Sequence, residues 1–127
     1  IENSLAAPTH KDAIRGIVQE AFRNKELIRQ LMSSQRREEI EQIFMKSVRS
    51  YLQEMLRARM PDLELSPADV ETVICFYSCG LVGLMLNELQ KEKADVEAVT
   101  YQMCRLLSGE ISIPFTQREA QDLATHT

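Results

Sequence analysis

The run Cys75-Phe76-Tyr77-Ser78-Cys79-Gly80-Leu81-Val82-Gly83-Leu84-Met85-Leu86-Asn87-Glu88-Leu89 sets the strongest constraint on what this chain can become. It carries a strong helical pattern but is apolar nearly all round. Such a helix needs cover on more than one side. It also holds Gly80 and Gly83 in its interior. A glycine inside a helix costs roughly 1 kcal/mol relative to alanine, so both are most easily explained by another backbone approaching closely. A chain of 127 residues is the size of one domain and has few elements of its own to provide that cover. The expectation is a partner subunit packed on this helix.

A membrane offers a different cover. The segment Val73–Leu89 is marginal in length for a bilayer, and Ser78, Asn87 and Glu88 interrupt it. A buried helix of a protein without membrane contact is the better reading, with Glu88 at its end reaching water. With no tryptophan, the core has to be built mainly from Leu, Ile, Val and Met. Six methionines suit both an adaptable apolar pocket and an ordinary helical core.

The remaining punctuation is helical. Strict two-residue alternation is not sustained anywhere, so no strands are expected. Thr9 as a cap with Asp12 in the first turn opens a helix whose apolar face is Ala13, Ile14, Ile17, Val18, Ala21 and Phe22. Asn24 offers a break and a fresh cap before Leu27, Ile28, Leu31 and Met32. A third helix is expected from about Arg36 to Arg59, burying Ile40, Ile43, Phe44, Val48, Tyr51, Leu52, Met55 and Leu56, and stopped by Pro61. Ser66-Pro67-Ala68-Asp69 is the clearest local signal: cap, proline at the first helical position, and an acid three residues after the cap. The fourth helix it opens should run to Lys91 or Lys93. A fifth runs from Ala94 or Asp95 to Leu107, with Val96, Val99, Met103, Leu106 and Leu107 along one side and Gly109 as terminator. Beyond it, Thr116-Gln117-Arg118-Glu119 resembles a capping box for a short final helix.

Chemistry is sparse. The two histidines, His10 and His126, lie near the ends. Gly80-x-x-Gly83 lacks the strand and turn that a phosphate loop needs; its spacing suits close helix contact. Glu38, Glu39 and Glu41 do not put three oxygens on one helix face, so they read as a solvated first turn. Three cysteines cannot all pair in one chain. Cys75, Cys79 and Cys104 are expected as buried free thiols in a reducing cytosol. Cys75 and Cys79 stand one turn apart without a third and fourth ligand, which argues against zinc. No enzyme, cofactor or metal is expected. A formal charge of −4 with no dense basic stripe, only Arg36-Arg37 and the spaced Arg57 and Arg59, argues against DNA binding by this chain alone. Among the aromatics, Tyr51 and Tyr77 can each give a ligand one polar contact in an apolar pocket. Equally, each can bond a backbone group in plain core packing.

From about Lys11 to Gly109 the chain resembles the C-terminal effector and dimerisation domain of the TetR family of bacterial transcription regulators, of the type common in Firmicutes. The resemblance rests on Phe76-Tyr77-Ser78-Cys79-Gly80-Leu81-Val82-Gly83-Leu84-Met85-Leu86-Asn87-Glu88-Leu89. It extends to the later Arg105-Leu106-Leu107-Ser108-Gly109 and to Phe22-Arg23-Asn24-Lys25-Glu26-Leu27. It implies an all-α bundle of five to six helices, dimerising through its last two long helices. Residues 11–109 would form the effector-binding and dimerisation domain. Residues 1–10 would be a linker or remnant, and 110–127 a C-terminal arm. It implies a cytoplasmic homodimer whose small apolar or amphipathic effector releases DNA from an N-terminal helix-turn-helix domain. That domain does not precede residue 11 here, and the start at Ile1 rather than Met is expected to mark truncation. The interface set it implies is Cys79, Gly80, Gly83, Leu84, Asn87, Val99, Met103 and Leu106. The pocket set is Phe22, Phe44, Val48, Tyr51, Tyr77 and Met85. The competing expectation is a helical dimerisation or adaptor module that binds neither ligand nor DNA.

Overall fold

The computed structural model describes residues 10–59, 62 and 64–125, and among these there is no strand. Six helices follow in order: α1 His10–Arg23, α2 Lys25–Met32, α3 Arg37–Arg59, α4 Pro67–Leu89, α5 Val96–Ser108 and α6 Gln117–Thr125. The proposed Thr9 cap, the Pro61 stop, His126 and residues 1–9 of the expected linker lie outside the described residues.

Two long contacts organise the bundle. α3 lies along α4, and α1 lies along α5. Between them sits one core. Its best-hidden members are Val18 from α1, Val48 and Leu52 from α3, Met85 and Leu89 from α4, and Met103 from α5. Burying an aliphatic side chain of this size contributes roughly 1.5–3 kcal/mol, so these contacts dominate the fold.

Local chemistry fixes the helix ends. The Ser66 hydroxyl accepts from the Asp69 amide at 3.1 Å, and the Asp69 carboxylate accepts from the Ser66 amide at 3.3 Å. This reciprocal pair satisfies two donors at the start of α4. The Asp95 side chain accepts from the Ala98 amide at 3.1 Å and opens α5. Gly109 closes α5 in the left-handed region at φ 84°, where a side chain would be strained. Asn24 does not cap α2 with its side chain; its amide group donates instead to the Glu20 carbonyl one turn back.

The turn from α4 to α5 departs from expectation. α4 ends at Leu89 rather than Lys91 or Lys93, with no basic residue in its last turn. The cation comes from α2. Arg29 donates from Nε to the Leu89 carbonyl at 2.6 Å and from Nη2 to the Lys91 carbonyl at 2.5 Å. A guanidinium placed there satisfies orphan carbonyls and suits the negative end of the helix dipole. Glu88 does not simply reach water. It is nearly buried, accepting from the Asp95 amide at 3.1 Å and from Lys91 Nζ at 3.0 Å. A carboxylate at this depth needs such partners, and these tie the end of α4 to the start of α5.

Two further expectations are corrected. Ile43 is 59% exposed rather than buried, because α3 seats Ile40, Val48, Leu52 and Leu56 and leaves Ile43 on its outer side. Cys75 and Cys79 are exposed and Cys104 is half-buried, so none of the three is a core thiol.

Candidate functional site

Two features stand apart from ordinary core packing: a pair of small, half-open pockets between the helices and a bare face on α4.

The cavities lie where α1, α3, α4 and α5 converge. One, of about 140 Å³, is lined by Leu52, Met55 and Leu56 of α3, Val73, Ile74 and Tyr77 of α4, and Leu107 of α5. The other, of about 310 Å³, is lined by His10, Lys11 and Ile14 of α1, Tyr51 and Met55 of α3, and Cys104, Leu107 and Ser108 of α5. Met55 and Leu107 belong to both walls. Both are unbranched at Cβ and flexible enough to change rotamer, methionine especially.

The larger cavity has a polar end. The Tyr51 hydroxyl is hydrogen-bonded to Nδ1 of His10 at 2.5 Å, and the rings meet edge to face with centroids 5.8 Å apart. Burial pushes the Tyr51 phenol up from its ordinary pKa, with a smaller push from Cys104. Burial also pushes the Cys104 thiol up, against the opposing pull of Lys11 and Arg15. Both groups are therefore neutral at physiological pH, and the wall presents the Tyr51 and Ser108 hydroxyls, the Cys104 thiol, the His10 imidazole and, at its rim, the Lys11 ammonium among hydrocarbon. That lining suits a largely apolar molecule carrying one hydrogen-bonding group.

The bare face belongs to α4. Ile74, Ser78, Leu81, Val82, Met85, Leu86, Glu88 and Leu89 point into the chain. On the other side Cys75, Phe76, Cys79, Gly80, Gly83, Leu84 and Asn87 are exposed, Phe76 by 71%. A Cβ built on Gly80 or Gly83 would meet nothing within 4 Å. Among the described residues no backbone therefore requires either glycine. Beside this face, Cys79, Gly83 and Asn87 join Arg37, Glu41 and Met45 of α3 in a groove of about 340 Å³. The most apolar stretch of α4 is 33% buried, and by length and composition alone this helix is apolar enough to cross a membrane. Its inner side is nonetheless committed to the core, so the uncovered apolar surface is confined to the outer side.

The sequence-derived sites separate on this structure. Of the pocket set, Tyr51 and Tyr77 line the two cavities. Val48 and Met85 are packed in the core, and Phe22 and Phe44 are half-buried against it; none of these four lines either cavity. Of the interface set, Cys79, Gly80, Gly83, Leu84 and Asn87 share the open face of α4, and Leu106 is half-exposed on α5. Val99 and Met103 need correction: they are 5% and 2% exposed, because that side of α5 is used against its own chain. The outer side of α5 is carried by Ala98, Tyr101 and Gln102 instead, with Arg105 over the Tyr101 ring at 5.6 Å. Sequence reasoning set His10 aside as a terminal residue. Its bond to a tyrosine 41 positions away leaves no local trace. Met55 and Leu107 read as plain core; only the fold places them between two cavities.

A family model described as a transcriptional regulator C-terminal region matches residues 9–109. No curated protein and no solved structure matches the chain.

Proposed function

The chain belongs to the TetR family of transcription regulators, as a C-terminal regulatory domain, and on that premise we propose that it senses a small apolar or amphipathic effector and pairs two copies of a cytoplasmic repressor. Domains of this family are not enzymes, and its members are soluble regulators that generally act as dimers binding DNA and ligands. The observation that carries the sensing reading is the cavity that ends on the His10–Tyr51 hydrogen bond. His10 opens α1. The matched region is by description C-terminal, so a DNA-reading domain would connect through the chain entering α1.

The mechanism follows from that placement. An effector occupying the larger cavity competes with His10 for the Tyr51 hydroxyl. If Met55 or Leu107 changes rotamer, the two cavities join and admit a longer molecule. Losing the bond frees the first turn of α1, which shifts along α5 and carries the preceding segment with it. The effector favours the DNA-released form only to the extent that it binds that form more tightly. Pairing supplies the second half. The open face of α4, with Gly80 and Gly83 admitting close backbone approach, packs against its twin across a two-fold axis. The outer side of α5 contributes Tyr101, and about 1,000 Å² or more is buried in all.

The test is titration of the chain with a panel of neutral amphipathic compounds, read by thermal shift and calorimetry. A ligand that binds the wild type and loses at least tenfold affinity in Tyr51→Phe and Tyr77→Ala supports sensing at this site. Binders unaffected by both substitutions, with folding intact by circular dichroism, overturn it. A chain that pairs but binds none of the panel supports the simpler dimerisation module.

A further inference from the structure

Residues 110–125 line neither cavity and lie off the open face of α4, yet they begin at the rim of the larger cavity. The exposed members of that cavity's wall, His10, Lys11 and Ser108, mark its mouth. Gly109 follows Ser108 directly and ends α5 in the left-handed region. The Glu110 and Ile111 amides then both donate to the Arg105 carbonyl, at 2.9 and 3.3 Å. That pattern ties the departing chain to the last turn of α5 and keeps Ile111 half-buried.

Beyond Ile111 the segment is apolar and uncovered. The Phe115 amide donates to the Ile113 carbonyl at 2.9 Å. This is a three-residue turn with Pro114 at its centre, where the ring already fixes φ. Ile113 and Phe115, the residues flanking the proline, are exposed. The helix that follows, α6, has nine residues and none is buried. An isolated helix shorter than about 12–15 residues is marginal in water, so its capping bonds do not hold it alone. The segment needs a surface to lie on.

The point of attachment names that surface. Phe115 lies four residues beyond Ile111, a reach of roughly 13 Å at about 3.3 Å per residue. That exceeds the width of a cavity of about 310 Å³. The wall offers half-covered Tyr51, Met55, Cys104 and Leu107. The Lys11 ammonium at the rim complements the acid Glu110. No member of that wall belongs to α4, so covering the mouth does not compete with pairing.

We propose that residues 110–125 form a strap that swings beyond Ile111 and closes the mouth of the larger cavity, seating Ile113 and Phe115 against its wall. The structure holds the open position. This deepens the sensing reading and rests on it: the strap covers an effector in the cavity, and release waits for it to open.

The test is disulfide trapping in a chain carrying Cys75→Ser and Cys79→Ser, which leaves Cys104 in the cavity wall as the one native thiol. Phe115→Cys is added, oxidised glutathione is the oxidant, and intact mass with non-reducing electrophoresis reads the product. A bond within one chain, between Cys104 and the introduced thiol, should form at least tenfold faster than with Gln121→Cys, with helical circular dichroism unchanged. The longer loop to position 121 accounts for only about twofold of that difference. Three results overturn the proposal: no disulfide, rates within about twofold of each other, or bonds between chains only, which would put the strap on a second copy. No effector enters this experiment, so its failure and the failure of the effector titration are separate results.

Discussion

The two sides of α4 are built from similar residues and meet opposite fates. The inner side places Leu81, Val82, Met85, Leu86 and Leu89 against α1, α3 and α5, each 5% exposed or less. The outer side carries Phe76, 71% exposed, and Leu84 with two glycines, and among the described residues nothing lies within 4 Å of a Cβ built on either glycine. Hydrophobicity therefore does not by itself say which side is core. What separates the sides is side-chain size: the inner side fills space, and the outer side leaves it open around Gly80 and Gly83. A helix apolar on both sides in a small bundle leaves its second side uncovered by its own core, which is what the proposed pairing would fill.

That contrast breaks most easily at its strongest point. Met85→Ala removes a fully buried side chain and should cost about 2–5 kcal/mol in urea unfolding. Phe76→Ala, on the same helix, should change the stability of the dilute single chain by less than about 0.5 kcal/mol. Equal losses would mean that the outer side is already covered. Next in size is Glu88→Ala. It strips the Asp95 amide and Lys91 of their shared carboxylate and should cost about 1–3 kcal/mol. A neutral result would show that the α4–α5 turn holds without it. Ser66→Ala removes the cap of α4 and should cost about 1 kcal/mol. One further effect has the opposite sign. Gly80→Ala meets no atom within the chain and should stabilise the dilute chain by roughly 0.5–1 kcal/mol through helix propensity. If it destabilises the dilute chain, an intrachain neighbour sits on that side after all.

Much of the fold was legible because it is written locally. Ser66-Pro67-Ala68-Asp69 opens α4, Asp95 opens α5 and Gly109 ends it. Thr116 and Glu119 bond reciprocally at 3.1 Å and open α6. Each of these signals involves residues within one turn of each other. What the sequence hid was long-range. Arg29 reaches the end of α4 from 60 positions away, and Glu88 turns inward because α5 presents a bare amide. The candidate site followed the same rule. Tyr51 and Tyr77 were found as aromatics with a polar end, but His10, Met55 and Leu107 became site residues only when four helices converged. Val99 and Met103 fit the helical period correctly, yet a period cannot say whether an apolar stripe faces its own α1 or a partner.

The central claim is that the outer side of α4 pairs with a second copy through its glycines. Sedimentation equilibrium of wild type and Gly83→Leu over a wide concentration range tests it most directly. The account predicts a wild-type dimer whose dissociation constant rises at least tenfold in the variant, with helix content unchanged. A wild type that stays monomeric at the highest concentration, or a dimer indifferent to leucine at position 83, would contradict it.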